Sequence, residues 1–163
     1  MPPHLFYPIS NATDLSYTFY RIPLLNPYKW NVSNGADGEF YSADPFPKFT
    51  KLISLSNMFY FCIIPANINL PVDSYVNCIQ LQDISSMFLS AQFESTSAMR
   101  QQVDGNLFNK NVNLRNISYA FASGQTVGDW SDRSPKKINS TLFNVDKHKR
   151  LTNVTGLFYN AVS

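Results

Sequence analysis

The sequence predicts an α/β repeat fold, a right-handed solenoid whose coils each carry one short parallel strand and, on the other side, a helical turn. Two observations predict it. One pattern recurs five times with fixed spacing: an apolar residue, two variable residues, an apolar residue, Ser or Thr, two more residues and Phe. The upstream aromatic residues of successive copies lie 40, 29, 33 and 35 residues apart, a period typical of solenoids.

Five repeats make up the predicted architecture, a single solenoid domain. With their flanks they span residues 1–22, 41–62, 70–91, 103–124 and 138–161. One repeat has too little apolar surface for a core of its own, so the repeats must stack. The pattern is cut at both ends, and we therefore expect neighbouring subunits or the rest of a longer repeat chain to continue it.

Two aromatic positions recur in every repeat and are expected to form a structural ladder. The upstream aromatic lies six residues before the first apolar position in four copies, and eight before it in the fifth, which carries a two-residue insertion. Each aromatic side chain buried in the stack contributes about 1.5–3 kcal/mol. The predicted ladder consists of Phe6, Phe19, Phe46, Phe59, Tyr75, Phe88, Phe108, Phe121, Phe143 and Phe158.

The segment Leu-x-x-Ile-Ser is short, and the Ile or Val at its second apolar position favours an extended backbone, which predicts a strand in each coil. The Ser or Thr that follows is expected to cap a helical turn by accepting a backbone N–H bond. Five copies of this residue also argue against a catalytic serine. The capping residues are Ser16, Ser56, Ser85, Ser118 and Thr155. A longer helix is predicted from Ser90 to Val103.

The spacing within the repeats resembles a known family. Residues 75–84 and 108–117 follow the order aromatic-x-x-Cys/Asn-x-x-Leu-x-x-Ile, which is similar to the BspA-like leucine-rich repeat of bacterial and protist surface proteins. Residues 84–93 resemble the Met-Phe-x-x-Ala repeat of bacterial surface lipoproteins. The resemblance implies an irregular leucine-rich-repeat-like solenoid and a surface role in adhesion or protein binding.

Composition and charge limit the possible partners and locations. The chain is 44% apolar and only 15% charged, against about a quarter in an average protein. A net charge of +2 supports no nucleic-acid binding. The N-terminal residues show no signal peptide, and the longest apolar run, Met58 to Pro65, is too short for a membrane span. We expect an extracellular, cell-surface or virion location, reached within a longer precursor or on a virus particle.

No motif indicates catalysis, a cofactor or a metal site, so we expect a protein that is not an enzyme. Cys62 and Cys78 fall on apolar repeat positions, which favours buried thiols, with a disulfide between neighbouring coils as the alternative in an extracellular protein. Together with His4 and His148 they are too few for a zinc site.

The predicted function is a non-enzymatic binding or adhesion module whose partner is a protein or a glycan. A structural subunit or segment of a larger assembly, such as a virion appendage, fibre or surface layer, is the alternative, and an enzyme acting on polysaccharide is a further one that no motif supports. The partner-binding surface is expected at the variable strand positions Thr13, Asp14, Gln82, Asp83, Arg115, Asn116, Thr152 and Asn153.

Five Asn-x-Ser/Thr sequons are candidate glycosylation sites if the protein passes through a eukaryotic secretory route. The alternative is that Asn serves the turns of the repeat by bonding its own backbone. The five residues are Asn11, Asn31, Asn116, Asn139 and Asn153.

Overall fold

A computed structural model of the chain describes residues 9–21, 49–64, 75–93, 102–103, 106–122, 137–138 and 141–160. In these ranges the predicted strand-and-helix solenoid is wrong. Almost no described residue is helical, and the strands are four segments of two residues each. Strand β1 (Ile63–Ile64) pairs in parallel with β2 (Gln92–Phe93), and β3 (Gln102–Val103) pairs in parallel with β4 (Lys137–Ile138).

The helix predicted from Ser90 to Val103 is also wrong at both of its described ends. Its first part contains β2 and its last two residues form β3. Residues 94–101 lie outside the described part of the chain.

Turns build the body of each repeat. We number five coils as residues 12–21, 52–62, 81–91, 114–122 and 151–160. In coil 2, the amides of Met58, Tyr60 and Cys62 donate to carbonyls three residues back, at 3.2, 3.2 and 3.1 Å. The predicted strand of each coil is reduced to one residue in a parallel bridge, at Asp14, Ser54, Asp83, Asn116 and Asn153.

Left-handed backbone conformations explain why the coils are neither strands nor helices. The third residue of the first turn has a φ between +53° and +60° in every coil, at Tyr17, Asn57, Ser86, Tyr119 and Gly156. A positive φ at this place is what a type II turn requires. Four residues later the same conformation recurs at Arg21, Phe61, Ser90 and Asn160. Because each such residue reverses the peptide plane, neither an extended nor a helical run can continue through it.

Alternate amides of each coil hydrogen-bond to the next coil. In coil 2, Leu55, Asn57, Phe59 and Phe61 donate to the carbonyls of Asp83, Ser85, Met87 and Leu89 at 2.9–3.0 Å. In the opposite direction, the amides of Gln82 and Asp83 share the Ile53 carbonyl at 2.8 and 3.1 Å. The same pattern joins coils 1 and 2, coils 3 and 4, and the described parts of coils 4 and 5. The described repeats therefore form a parallel stack.

This arrangement leaves no amide of an interior coil without an acceptor. In coil 3, the amides of residues 81–91 bond to turn carbonyls, to coils 2 and 4, or to the Asp83 side chain. Buried backbone groups must be paired in this way because an unpaired one loses its hydrogen bond to water. The stack thus supplies the hydrogen bonds that a regular sheet or helix would supply elsewhere.

Stacked aromatic rings fill the interior along two lines. The Phe19, Phe59, Phe88 and Phe121 rings follow one another at centroid distances of 5.5, 5.4 and 5.3 Å, and Phe158 lies 6.1 Å beyond Phe121. On the second line Phe108 lies 5.2 Å from Tyr75 and 5.8 Å from Phe143. Phe6 and Phe46 of the predicted ladder lie outside the described residues.

Two buried polar side chains lie three residues before the first apolar position of their coils. The Asn111 Nδ2 group donates to the Tyr75 and Cys78 carbonyls, both at 2.9 Å. The His148 ring contacts the Phe108 carbonyl through Nε2 at 3.1 Å and accepts the Asn144 amide at Nδ1, also at 3.1 Å. His148 therefore connects the segment with the two-residue insertion of the fifth repeat to the fourth repeat.

We predict that Phe88→Ala destabilises the protein strongly, because Phe88 is buried between two stacked rings. The expected loss in the free energy of unfolding is about 3–5 kcal/mol, measured by urea denaturation. Phe158→Ala is the matched control, since Phe158 holds the same repeat position but is exposed. Equal losses for the two variants would contradict the stacked core.

We also predict that Asn111→Ala lowers the free energy of unfolding by about 2 kcal/mol or more, because two buried carbonyls each lose one of their two donors. The control is Asn113→Ala. Asn113 also donates to a carbonyl of the preceding coil, that of Ile79, but it does so at the surface, where water replaces the bond. Thermal melts of both variants measure the difference, and a milder effect for Asn111→Ala would refute the buried role.

Candidate interaction surface

A column of turn-capping side chains runs along the stack at the bridge residues. In each coil the side-chain oxygen of this residue accepts the amide of the residue two places later, at distances from 2.7 to 3.3 Å. This is the Asx or Ser turn, in which a short polar side chain replaces a backbone acceptor. The column consists of Asp14, Ser54, Asp83, Asn116 and Asn153, so four of the eight predicted partner-binding residues fix the backbone of their own coils.

The predicted role of the following Ser or Thr is therefore wrong. Its own amide is the group that is capped, and no helical turn follows it. Within the described residues its hydroxyl bonds to side chains instead. The Ser56 hydroxyl donates to the Ser16 hydroxyl at 3.1 Å, and the Ser118 hydroxyl donates to the Asn116 side-chain oxygen at 2.8 Å.

The other four predicted partner-binding residues lie next to the capping column in a row of one residue per coil. We define the exposed row as Thr13, Ile53, Gln82, Arg115 and Thr152. Thr13, Ile53, Arg115 and Thr152 are exposed, and Gln82 is half-buried. Ile53 was not predicted, although its spacing from Leu52 and Leu55 matches that of Thr13 in coil 1. The row has no common chemical character, so on its own it does not specify a ligand.

An aromatic cluster on coils 1 and 2 has a clearer chemical character. We define the aromatic–arginine patch as Tyr17, Tyr20, Arg21, Tyr60 and Phe61. The Tyr20 and Tyr60 rings stack at 4.9 Å, and the Arg21 guanidinium lies 5.6 Å from the Tyr20 centroid and 5.4 Å from that of Phe61. Tyr17 is 58% exposed and contacts Tyr20 at 5.5 Å. The rings are accessible and are also held in place by one another.

The patch was missed by the sequence reasoning, although the repeat contains a signal for it. Tyr20-Arg21 and Tyr60-Phe61 follow the ladder phenylalanines of their coils. The same two positions are Leu89-Ser90 in coil 3 and begin with Ala122 in coil 4. In coil 5 they are Tyr159-Asn160, so coils 1, 2 and 5 carry a tyrosine directly after the ladder phenylalanine, and coils 3 and 4 do not.

The candidate glycosylation sites differ in their surroundings. Asn116 is half-buried, its oxygen accepts both the amide and the hydroxyl of Ser118, and its Nδ2 lies 3.5 Å from Asp83. A glycan on Asn116 would be attached to this Nδ2, next to Asp83, whereas the turn is made by the oxygen. Asn153 caps Thr155 in the same way, whereas Asn11 is exposed. Asn31 and Asn139 lie outside the described residues.

The cysteines are both buried thiols, and the Cys62 sulfur donates to the Phe19 carbonyl at 2.6 Å. Within the described ranges no three His, Cys, Asp or Glu side chains come together in a way that would hold a metal ion. In the same ranges, no helix has the length and apolar character needed to cross a bilayer.

We predict that Asp83→Ala lowers the free energy of unfolding by about 1–2 kcal/mol, because the Ser85 amide loses its acceptor. Asp83→Asn is the control, since Asn keeps an oxygen at the same place and is the natural residue in coils 4 and 5. Chemical denaturation of both variants tests this. Loss of stability in Asp83→Asn as large as in Asp83→Ala would show that the negative charge, and not the turn, matters.

Comparison with known proteins adds no relative. No protein family, no curated protein and no solved structure matches the chain. The resemblance to BspA-like repeats therefore stays a prediction from the motif, and the function must be argued from the residues described above.

Proposed function

We propose that the chain is a non-enzymatic interaction module that binds a partner protein through the aromatic–arginine patch, at a cell surface or on a virus particle. The observation that supports this role is the exposure of Tyr17, Tyr20 and Arg21 above the half-buried rings of Tyr60 and Phe61. Tyr and Arg are the residue types in which protein interfaces and their energetic hot spots are enriched.

The internal contacts of the patch favour binding. Ring stacking on Tyr60 and the contact with Arg21 restrict the Tyr20 side chain before any partner arrives. Ordering a mobile side chain on association costs about 0.5–1.5 kcal/mol, so side chains that are already ordered lose less. The patch also places one guanidinium beside aromatic surface, which suits a partner with a carboxylate next to an apolar group.

None of the five side chains of the patch is a carboxylate, a thiol or an imidazole, and the hydroxyls present are phenolic. A glycan remains the other partner class predicted by the sequence, because aromatic rings also offer flat surfaces to sugar rings. The choice between a protein and a glycan is left to the binding experiment.

We predict that the double variant Tyr20→Ser and Arg21→Ser loses partner binding while its melting temperature stays close to that of the wild type. The immobilised chain is tested against a glycan array and against a library of displayed extracellular proteins. Tyr159→Ser with Arg150→Ser is the control, since Tyr159 on coil 5 and Arg150 directly before that coil are both exposed. Protein hits lost only in the patch variant support the proposal; glycan hits, or hits lost equally in both variants, contradict it.

A second candidate function, a subunit of a larger assembly, is favoured by one specific observation. The apolar column that is buried in coils 2, 3 and 4 is exposed in coil 5, where Val154 is 55% and Phe158 44% exposed. Exposed apolar surface in an otherwise packed column is typical of an interface.

A further inference from the structure

A row of side chains follows the stack at the first left-handed position of the coils. Its members are Tyr17, Asn57, Ser86, Tyr119 and Gly156, and the amides of the first four donate to the following coil at 2.8–3.1 Å. Because these bonds keep the row in register, equivalent side chains of successive coils lie next to one another. Both tyrosines are exposed, whereas Asn57 and Ser86 between them are short and half-buried. We call the space above Asn57 and Ser86, bounded by Tyr17 and Tyr119, the trough.

The Tyr119 ring, at one end of the trough, is held over the backbone of the next coil. A Cβ on Gly156 would lie 2.6 Å from Cδ1 and 2.9 Å from Cζ of this ring, so the ring occupies the place of a side chain. The left-handed backbone alone does not require glycine here, because Tyr, Asn and Ser hold the same conformation in coils 1 to 4. The Tyr159 ring also contacts Tyr119, with centroids 6.4 Å apart. Tyr119 is therefore fixed in place while 39% of it stays exposed.

The floor of the trough carries two polar side chains. Among the described residues, neither the Asn57 side-chain amide nor the Ser86 hydroxyl has a hydrogen-bond partner. Each group can both donate and accept, so each can bind a peptide N–H or C=O group. At the Tyr17 end, the Arg21 guanidinium contacts two rings but pairs with no carboxylate in the described part of the chain. An unneutralised positive charge therefore lies beside the first tyrosine.

The length of the trough matches a short extended peptide. Neighbouring strands joined by hydrogen bonds lie about 4.8 Å apart, so the three coil-to-coil steps from Tyr17 to Tyr119 span roughly 14 Å. An extended chain rises about 3.3 Å per residue, so about four residues cover this distance. Because side chains of an extended chain alternate between two faces, residues four apart point the same way. Two apolar residues at this spacing can contact both tyrosines, provided that the residue midway between them is small.

We propose that the trough binds an extended segment of the partner protein, with one apolar residue on Tyr17 and a second, four residues away, on Tyr119. An acidic residue next to the first apolar residue pairs with Arg21. The single guanidinium matches the single charge of an Asp or Glu carboxylate, which it can bind through two parallel N–H bonds. This inference deepens the proposed function and rests on it, because Tyr17 and Arg21 belong to the aromatic–arginine patch.

The probe is a six-residue peptide, Glu-Trp-Thr-Ser-Thr-Trp, blocked at both ends and labelled with a fluorophore. Its threonines favour an extended backbone, and its serine is the small residue midway between the anchors. Titration with the full chain, followed by fluorescence anisotropy, should show saturable binding. Tyr119→Ser should weaken this binding by about tenfold or more, because one aromatic contact is lost. Val112→Ser is the control, since Val112 is 44% exposed and lies outside the row.

Two further changes test the geometry of the trough. Removal of one threonine from the probe places its tryptophans three residues apart, on opposite faces of an extended chain, and should weaken binding as much as Tyr119→Ser does. Ser86→Tyr fills the trough with a residue that coils 1 and 4 carry at the same left-handed position, and should abolish binding. Unchanged affinity of the shortened probe would overturn the extended conformation. Binding by Ser86→Tyr as strong as that of the wild type would overturn the trough as the site.

The remaining outcomes separate this inference from the proposed function. No saturable binding of the probe, or equal binding to the wild type and Tyr119→Ser, overturns the inference. A probe with Gln in place of Glu should bind more weakly, and equal binding would overturn the pairing with Arg21. Hits of the displayed protein library that Tyr20→Ser with Arg21→Ser loses and Tyr119→Ser keeps would leave the patch function standing and overturn the trough. Glycan-array hits that Tyr119→Ser loses would make a sugar the occupant and overturn the choice of partner.

Discussion

The alternate amides of each coil depend on the next coil for their hydrogen-bond acceptors. The left-handed residues of a coil, Asn57 and Phe61 in coil 2, direct these amides along the stack axis, and the turns of the same coil satisfy the remaining ones. A single coil could not keep this conformation in a protein core without its neighbour, because each buried amide without an acceptor costs about 1–3 kcal/mol. Stacking is therefore a condition for the coil conformation itself, and not only a means of burying apolar surface.

The side chains of an interior coil follow from this constraint. The bridge residue must cap an amide that neither a turn nor a neighbour reaches, so it is Asp, Asn or Ser, as Asp83 and Asn116 are. The ladder residue must contact the equivalent residues of both neighbouring coils. A flat ring such as Phe88 does so, with its centroid 5.4 Å from that of Phe59 and 5.3 Å from that of Phe121. Upstream, Asn111 and His148 each bond to core carbonyls that already accept a turn amide, and so add a second bond to them. The aromatic–arginine patch and the exposed row use positions that are free from these demands.

Much of the core was predictable from spacing alone, because inward positions must repeat when units stack. Leu81, Ile84 and Phe88 are buried at the places that the motif indicates. Secondary structure was not predictable in the same way: β-branched residues at Ile84 and Ile117 suit a strand, but the left-handed Ser86 and Tyr119 that follow are residue types with no marked preference for that conformation. Ser85 was predicted to cap the turn, whereas Asp83 does so in the structure. Both residue types cap turns, and the sequence does not show which amide needs an acceptor. The patch was not predicted, because the prediction was based on positions that all five repeats share and the residues of the patch differ between coils.

The unequal numbers of bonds in the two directions between coils have an electrical consequence. In coils 1 to 3, four peptide units point their N–H groups toward the following coil, whereas only two amides point back. Parallel strands in ordinary sheets alternate these directions and have small net dipoles. Here the peptide dipoles add along the stack, as they do in a helix, and the positive end lies at coil 5. Lys147, Lys149 and Arg150, which precede that coil, add positive charge near it, so the exposed side of coil 5 favours negatively charged surroundings.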